Sequence, residues 1–354
     1  MPNAQPSPRT IRVRLLNSPL DYLRLALRVL FWCALLYLLV LAFEDDGFTD
    51  KGHVTFLNGD FEEVSEMDIG ADDLVVGLVD LHGVIASFAD SDVLSGAEAL
   101  VTPDDVRRAL SVMREVSDLS GLVVRFETPG GEVTASDEIR NILATYKTRE
   151  NLPVFFYSGS ILASGGYYAA CAADKVFTAK NAEVGSIGVI IEMLNYQKLA
   201  KDTLGVDMKV YKSGEFKDMG NPFREPTQAE TALFNRDVRE SMDDFVAEVA
   251  KSRNIPVEVV RDKLGTGQVW SGKRARELGL VDDLLYPEEL AGRLKAELGT
   301  KGEVFFAAYQ PPEGLFHSLE THVQTALAQA FPKLPFPAAR KGGHTPRLYY
   351  LLPW

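Results

Sequence analysis

The 354-residue chain contains little cysteine and little histidine, and both shortages limit the chemistry it can perform. Its two cysteines are Cys33, within a long apolar run, and Cys171, so no disulfide framework is expected. We interpret Cys171 as a small core residue rather than a nucleophile. The five histidines are His53, His82, His317, His322 and His344. None lies in a pattern that favours a Ser-His triad, and His82, which ends a strand-like run, is interpreted as structural.

The net charge of −13 is unevenly distributed along the chain. The first 43 residues carry five arginines and one aspartate, a net of +4, so the remaining residues carry −17. So acidic a region has no excess of basic residues with which to bind phosphates. Its charge therefore argues against binding nucleic acid or an anionic membrane surface through a broad basic patch.

Residues 25–43 form an apolar run in which Arg28 is the only charged residue. A helix of this length at about 1.5 Å per residue spans roughly 28 Å, close to the hydrocarbon thickness of a bilayer. Arginines precede the run and acidic residues follow it, so the pattern predicts a single crossing with the N-terminus in the cytoplasm. A cleaved signal peptide is the alternative. It is disfavoured because the basic stretch is long and no Ala-x-Ala site is present.

The segment Ala163-Ser164-Gly165-Gly166-Tyr167-Tyr168 places a serine on a glycine turn. A strand-like stretch at 152–158 precedes this turn, and a helical stretch at 168–173 follows it. At such a corner the serine hydroxyl is exposed, and the first helical N–H groups can bind a developing negative charge. A serine that only caps the helix would give the same local pattern, so the choice between cap and nucleophile depends on finding a base.

Two lysines are candidates for that base. Lys212 and Lys217 lie in Val210-Tyr211-Lys212-Ser213-Gly214-Glu215-Phe216-Lys217-Asp218, after an apolar run that suggests the end of a strand. A lysine can act as a base when the protein lowers its pKa from about 10.4 toward neutrality. The alternative is a solvated basic turn with no catalytic part.

Two further turns complete the pattern. Ser186 lies in Glu183-Val184-Gly185-Ser186-Ile187-Gly188-Val189-Ile190, which we expect to continue into a strand, and its hydroxyl could hold a lysine amine. A strand at 122–127 ends in Thr128-Pro129-Gly130-Gly131, and a helix is expected at about 136–146. Such a Pro-Gly-Gly bend can present a second amide to an oxyanion.

Taken in order, these four segments resemble the signal peptide peptidase A (SppA) family of membrane-bound Ser-Lys serine proteases. The resemblance covers about residues 74–285 and includes a closing segment, Ala275-Arg276-Glu277-Leu278-Gly279-Leu280-Val281-Asp282. It implies a fold like that of ClpP and the crotonases, an α/β spiral of largely parallel sheet units with flanking helices. Thr128 departs from the serine that is common in the family before Pro-Gly-Gly, but it keeps the hydroxyl.

The resemblance also implies the site residues. Ser164 would be the nucleophile and Lys217 the general base, with Ser186 orienting the Lys217 amine. The amides of Gly131 and Gly165 would bind the oxyanion. The implied substrates are cleaved signal peptides and other short membrane-associated peptides at the bacterial inner membrane, with the catalytic domain outside the cytoplasm. No metal or cofactor is implied, and the short form of the family assembles as a homo-oligomer.

The expected organisation follows from the same patterns. We predict a basic N-terminus at 1–24, a transmembrane helix at 25–43, a linker at 44–70, one peptidase domain at 71–300 and a proline-rich tail at 301–354. Strand-like runs at 74–81, 121–127, 153–158 and 175–179 alternate with helical stretches, which favours a largely parallel α/β sheet. An amphipathic helix is expected at 227–253. Two alternatives stay open, a catalytically inactive membrane scaffold and an acyl-CoA-processing crotonase-like enzyme.

Overall fold

The computed structural model describes residues 52–88 and 100–312. The predicted transmembrane helix at 25–43 and most of the predicted tail lie outside these described residues. Among the helices that are described, none has both the length and the apolar character needed to cross a membrane.

The central feature is a seven-stranded sheet with the order β1-β12-β2-β5-β6-β8-β11. All neighbouring strands in it are parallel except β1 and β12, which pair antiparallel at one edge. A smaller sheet has the order β10-β9-β7, and β3 pairs with β4. The strands of the described residues are β1 His53–Leu57, β2 Leu74–His82, β3 Val84–Ile85, β4 Leu100–Val101, β5 Leu119–Glu127, β6 Val154–Ser158, β7 Ile161–Ala163, β8 Lys175–Thr178, β9 Glu183–Gly185, β10 Val269–Ser271, β11 Asp283–Leu284 and β12 Val304–Gln310.

Helices cover both faces of the large sheet. They are α1 Pro103–Met113, α2 Val133–Glu150, α3 Gly165–Ala170, α4 Gln228–Arg253, α5 Gly272–Glu277 and α6 Pro287–Leu298. Short helical turns occur at Glu66–Asp68, Leu199–Thr203, Val257–Val259 and Val260–Leu264. Both α1 and α4 begin at a threonine whose hydroxyl accepts a bond from the third helical N–H, while the acidic third residue accepts one from the threonine N–H. These reciprocal bonds explain where the two helices start.

The core has two layers because the central strands are apolar on both faces, as buried parallel strands commonly are. Val79 and Leu81 of β2 face the larger layer, which α1 to α5 also contribute to. Val76 and Leu78 of the same strand face the smaller layer, which α6 closes with Leu290 and Leu294. The predicted largely parallel α/β sheet is therefore confirmed, as are its four predicted strands.

The folded region extends past both predicted ends of the peptidase domain. β1 lies in the range predicted as a linker, and β12 lies in the range predicted as a tail. The two strands pair over five residues at the edge of the large sheet, and β12 also pairs with β2. Strand β1 has no strong apolar alternation, so only its pairing with a distant segment reveals it.

Two predicted strands are wrong. The segment after Ser186 does not continue as a strand, and the run before Lys212 is irregular. Residues 189–226, here called the apolar arm, contain one short helical segment, at 197–203, and no strand. Many large apolar side chains of this arm are exposed, including Ile190 at 82% and Tyr211 at 94%. These residues have strand-like composition, but within residues 52–88 and 100–312 they pair with no strand.

Candidate active site

Ser164 lies at the start of α3, directly after β7, in a backbone conformation that few serines adopt. Its φ is 50° and its ψ is −124°, and its side chain makes no capping hydrogen bond to the helix. Its amide donates to the Gly185 carbonyl at 2.7 Å, and its carbonyl accepts from Tyr168 N at 3.0 Å. Such a conformation typically costs about 1–3 kcal/mol, so the surrounding sheet must hold it. The result is a half-buried serine whose hydroxyl is not used as a helix cap.

The glycine bend lies directly against this serine. A methyl group added to Gly130 would come within 2.7 Å of both Ser164 Cβ and Gly165 N. A methyl group on Gly131 would collide with the main chain of Ile85, and one on Gly165 with the hydroxyl of Ser136. The three glycines are therefore required by close approach. The same contacts place Gly131 N close to Gly165, directly beside Ser164.

Neither the Gly131 amide nor the Gly165 amide is used in a hydrogen bond within residues 52–88 and 100–312. The bend itself is held by Thr128, whose hydroxyl accepts from Gly130 N at 3.0 Å. Threonine thus supplies the hydroxyl that fixes the bend, in agreement with the expectation that this departure leaves the amides undisturbed. Two unsatisfied N–H donors beside a serine are the arrangement that stabilises a tetrahedral oxyanion.

A cleft of about 520 Å³ opens next to Ser164. Its walls include Gly131, Gly165 and Ser164 on one side, and Tyr168 of α3 and Phe245 of α4 on another. The Tyr168 and Phe245 rings meet edge to face with their centroids 5.2 Å apart. The cleft is large enough for peptide side chains and combines aromatic walls with polar groups, as binding clefts usually do.

Polar contacts fix the floor of this cleft. The Tyr168 hydroxyl donates to Asp137 Oδ1 at 2.9 Å, and Arg140 forms an ion pair with Glu248. Burial, with the hydrogen bond to Asp137, raises the pKa of Tyr168 well above its usual range. Tyr168 therefore stays protonated at physiological pH and acts here as a wall and a hydrogen-bond donor.

Ser186 lies next to the serine turn, but it does not line the cleft. It directly follows Gly185, whose carbonyl binds the Ser164 amide, and its own amide donates to Gln268 O at 2.8 Å. Its φ of 49° is another unusual value for a serine. In the part of the chain that the structure describes, its hydroxyl has no hydrogen-bond partner, so that group is available to a further side chain.

Lys217 is not brought to Ser164 within one chain. It lies on the exposed apolar arm, in the turn 214–219 where its amide donates to Gly214 O at 3.2 Å. It is not among the residues that line the cleft. Its amine makes neither an ion pair nor a hydrogen bond to any residue in the described ranges. Of the predicted site, one chain therefore assembles Ser164, Gly131 and Gly165, with Ser186 beside them and Lys217 apart.

Lys212 differs from Lys217 because its amine is already bound. It donates to Glu215 O at 2.7 Å and to Asp218 Oδ1 at 2.6 Å. The carboxylates that surround this turn were not identified from the sequence as functional. The sequence does contain one signal for Glu230, because Thr227 and Glu230 have the spacing of a helix capping box.

Glu127, at the end of β5, was also missed as a residue that shapes the site. Its carboxylate accepts from the hydroxyls of Ser158 and Ser160 and from the amides of Gly159, Ser160 and Ile161, at 2.6–3.1 Å. These five bonds fix the loop that leads into β7 and so the position of Ser164. No spacing rule in the sequence links Glu127 with a loop more than thirty residues away.

The other candidate nucleophiles and bases are less well placed. The histidines in the described ranges, His53 and His82, do not line the cleft. His82 is exposed at the end of β2, so its interpretation as a structural histidine is not supported. Burial raises the pKa of the Cys171 thiol to about 11, which keeps it in the unreactive protonated form.

Comparison with known proteins gives a consistent picture. A model of peptidase family S49 matches residues 147–301, a range that includes Ser164, Ser186 and Lys217. A protein of Enterococcus faecium that carries the name signal peptide peptidase SppA is 33% identical over 237 residues, covering 66% of this chain and 67% of that protein. A Synechocystis protein named as a protease is 36% identical over 191 residues, covering 54% of this chain and 67% of that one.

A solved structure of a ClpP1 variant from Listeria monocytogenes matches 60% of this chain and 91% of its own, at 12% identity and a TM-score of 0.36. A score below 0.5 does not establish a shared fold. The predicted likeness to the ClpP and crotonase spiral therefore stays a prediction.

Proposed function

The chain belongs to peptidase family S49, the family of signal peptide peptidase A, and we propose that it is a membrane-anchored serine endopeptidase with a Ser-Lys dyad. In this proposal Ser164 is the nucleophile, Lys217 is the base and Ser186 orients the Lys217 amine. Gly131 and Gly165 bind the oxyanion. The observation that carries the proposal is the pair of free amides beside a strained serine at the edge of a cleft.

The chemistry follows from these positions. The neutral Lys217 amine takes the proton of Ser164 Oγ as that oxygen attacks the substrate carbonyl. The negative charge that develops on the carbonyl oxygen is stabilised by the amides of Gly131 and Gly165. The Lys217 ammonium then gives its proton to the leaving nitrogen, which leaves an ester on Ser164. Lys217 next activates a water molecule that hydrolyses the ester and restores the enzyme.

The proposal includes completion of the dyad between protomers of a homo-oligomer. Two observations support this. Lys217 lies away from the cleft of its own chain, and the apolar arm that carries it exposes more large apolar side chains than a free monomer usually does. Docking of the arm on a second copy would bury those side chains and bring the Lys217 amine to the Ser164 and Ser186 hydroxyls of that copy.

The membrane anchor and the substrates are also part of the proposal. The apolar run at 25–43 would cross the bacterial inner membrane once, with the catalytic domain outside the cytoplasm. Cleaved signal peptides and other short membrane-associated peptides would be the substrates, in line with the name of the Enterococcus faecium relative. The family match does not favour the acyl-CoA alternative or the inactive scaffold.

The test is peptidase turnover by the detergent-solubilised full chain on an apolar, alanine-containing peptide. We expect Ser164→Ala and Lys217→Ala each to lower kcat by at least about 10³-fold, because each removes a member of the reacting pair. Lys209→Ala, which removes another exposed lysine of the same arm, should retain wild-type turnover. Equal activity of wild type and both site variants would contradict the proposal.

A further inference from the structure

A group of four charged side chains, here called the Arg224 cluster, fixes the turn that carries Lys217. Arg224 donates from Nε to Asp218 Oδ2 and from Nη2 to Asp218 Oδ1, both at 2.9 Å, and from Nη2 to the Asp218 carbonyl at 3.0 Å. Its other side binds Glu230, with Nη1 at 2.8 Å from Oε2. Lys212 completes the cluster through its bond to Asp218. One guanidinium thus joins the residue after Lys217 to the first turn of α4.

The helix end of this cluster is buried and hydrogen-bonded. The Glu230 side chain is 1% exposed, and Glu230 Oε2 also accepts from Thr227 N at 2.7 Å. Its hydrogen bonds from Arg224 and Thr227 lower the pKa of Glu230 to about 2. Further along, α4 buries Phe245 and Val249 in the core of the domain. Arg224 therefore ties an otherwise irregular turn to a helix that is itself firmly packed.

The Asp218 carboxylate also matters for the Lys217 amine, because Asp218 directly follows Lys217 in the chain. Hydrogen bonds from Arg224, and then from Lys212, hold its pKa well below its usual range, so it stays ionised. A free carboxylate beside Lys217 would pair with the ammonium form and favour it over the neutral amine. In this structure both Asp218 oxygens are bound by Arg224 and Lys212 instead. The charged groups of the turn and its surroundings are Lys212, Glu215, Asp218, Arg224, Glu225 and Glu230.

We propose that Arg224 is a positioning residue for Lys217, which holds the Lys217 turn against α4 and keeps the Asp218 carboxylate from pairing with the Lys217 amine. This inference rests on the proposed role of Lys217 as the base. A base must lose its proton near the working pH, so an ion pair with an adjacent carboxylate would work against it. The arginine fork suits this role because it binds both Asp218 oxygens in a planar, bidentate geometry and also reaches Glu230, a geometry that a lysine ammonium does not reproduce.

The test is the pH dependence of kcat/KM for Arg224→Ala in the full chain. Because Asp218 would then be free to pair with Lys217, we expect the rising limb of the profile to move to higher pH. At neutral pH we expect kcat to fall by about tenfold or more, with KM little changed. The double variant Arg224→Ala/Asp218→Asn should return the midpoint to the wild-type value while kcat stays low. A merely structural role would lower activity without moving the midpoint.

Controls separate positioning from loss of structure. Arg236→Ala removes an exposed arginine of α4 whose partners are Asp237 and Glu240, so it should leave both rate and midpoint unchanged. Added guanidinium should partly rescue Arg224→Ala at constant assembly size and melting temperature. If Arg224→Ala does not fold, Arg224→Lys serves instead and should show a shift of the midpoint in the same direction, because a lysine cannot hold both Asp218 oxygens in the bidentate geometry of arginine.

The outcomes also separate this inference from the proposed function. Turnover that depends on Lys217, with an unchanged midpoint in Arg224→Ala or Arg224→Lys, would overturn the positioning role alone. Turnover that does not depend on Lys217 would overturn the proposed function and the inference together.

Discussion

The surroundings of Ser164 and the apolar arm that carries Lys217 are built in opposite ways. Ser164 is held by strands, a helix end and three glycines. At each of these glycines the neighbouring atoms leave no room for a methyl group. The arm consists mainly of irregular backbone with exposed apolar side chains, and charged side chains fix its lysine turn. One half of the proposed site is thus complete within a chain, whereas the other half is presented outward. This difference is the basis of our proposal that the arm docks on a second copy of the chain.

Apart from replacement of Ser164 or Lys217 themselves, the largest effect is expected on the side of the comparison that one chain completes. Gly131→Ala should lower kcat by about 10²–10³-fold, because the new methyl group would displace the bend and its oxyanion amide. Steady-state kinetics at constant assembly size would measure this loss. As a matched control, Gly292→Ala adds a methyl group with no heavy atom within 4 Å and should leave kcat unchanged. Equal kinetics for the two variants would show that the Gly131 amide has no part in the reaction.

A change on the arm should act through assembly instead. Tyr211→Glu places a charge at an arm position that is 94% exposed in a single chain. We expect smaller assemblies by sedimentation velocity, together with about tenfold or more lower turnover at dilute protein, because a charge at an apolar interface core is unfavourable. Tyr286→Glu, at a 52% exposed position outside the arm, should change neither quantity. An arm variant that keeps its assembly size would contradict docking through this surface.

The smallest expected effect is a difference in turnover between two variants that each lose a helix cap of the same kind. Thr227→Ala and Thr102→Ala each remove a threonine that caps a helix, so each should lower the free energy of unfolding by about 1 kcal/mol. The two caps differ because Glu230, the acidic residue that Thr227 binds, also belongs to the Arg224 cluster. We therefore expect Thr227→Ala alone to lower turnover, by a few-fold. Urea unfolding and steady-state kinetics together would measure both effects, and equal turnover in the two variants would argue against the cluster's role.

The sequence predicted those parts of the molecule that local patterns determine. The turn at Ser164 and the bend at Gly130 and Gly131 are such parts, because a glycine turn between a strand and a helix depends on few neighbours. The strands predicted after Ser186 and before Lys212 were wrong because a strand needs a partner, and composition alone does not supply one.

The Arg224 cluster could not be predicted for a related reason. Asp218, Arg224 and Glu230 are six residues apart, a spacing with no helical or strand period, and only the fold of the arm brings them together. The pairing of β1 with β12 likewise joins segments about 250 residues apart in the sequence. In each case the deciding interaction follows no helical or strand period, so a local pattern does not record it.

The most direct test of whether Ser164 and Lys217 meet between protomers mixes two inactive variants. Ser164→Ala and Lys217→Ala protomers are dissociated, combined in equal amounts and reassembled, and peptidase turnover is compared with that of each variant alone. If Ser164 and Lys217 meet between protomers, a site is active only when one chain supplies the serine and its neighbour supplies the lysine, so turnover should recover to about one quarter of wild type. No recovery in a mixture whose exchange is verified by native mass spectrometry would contradict completion of the site between chains.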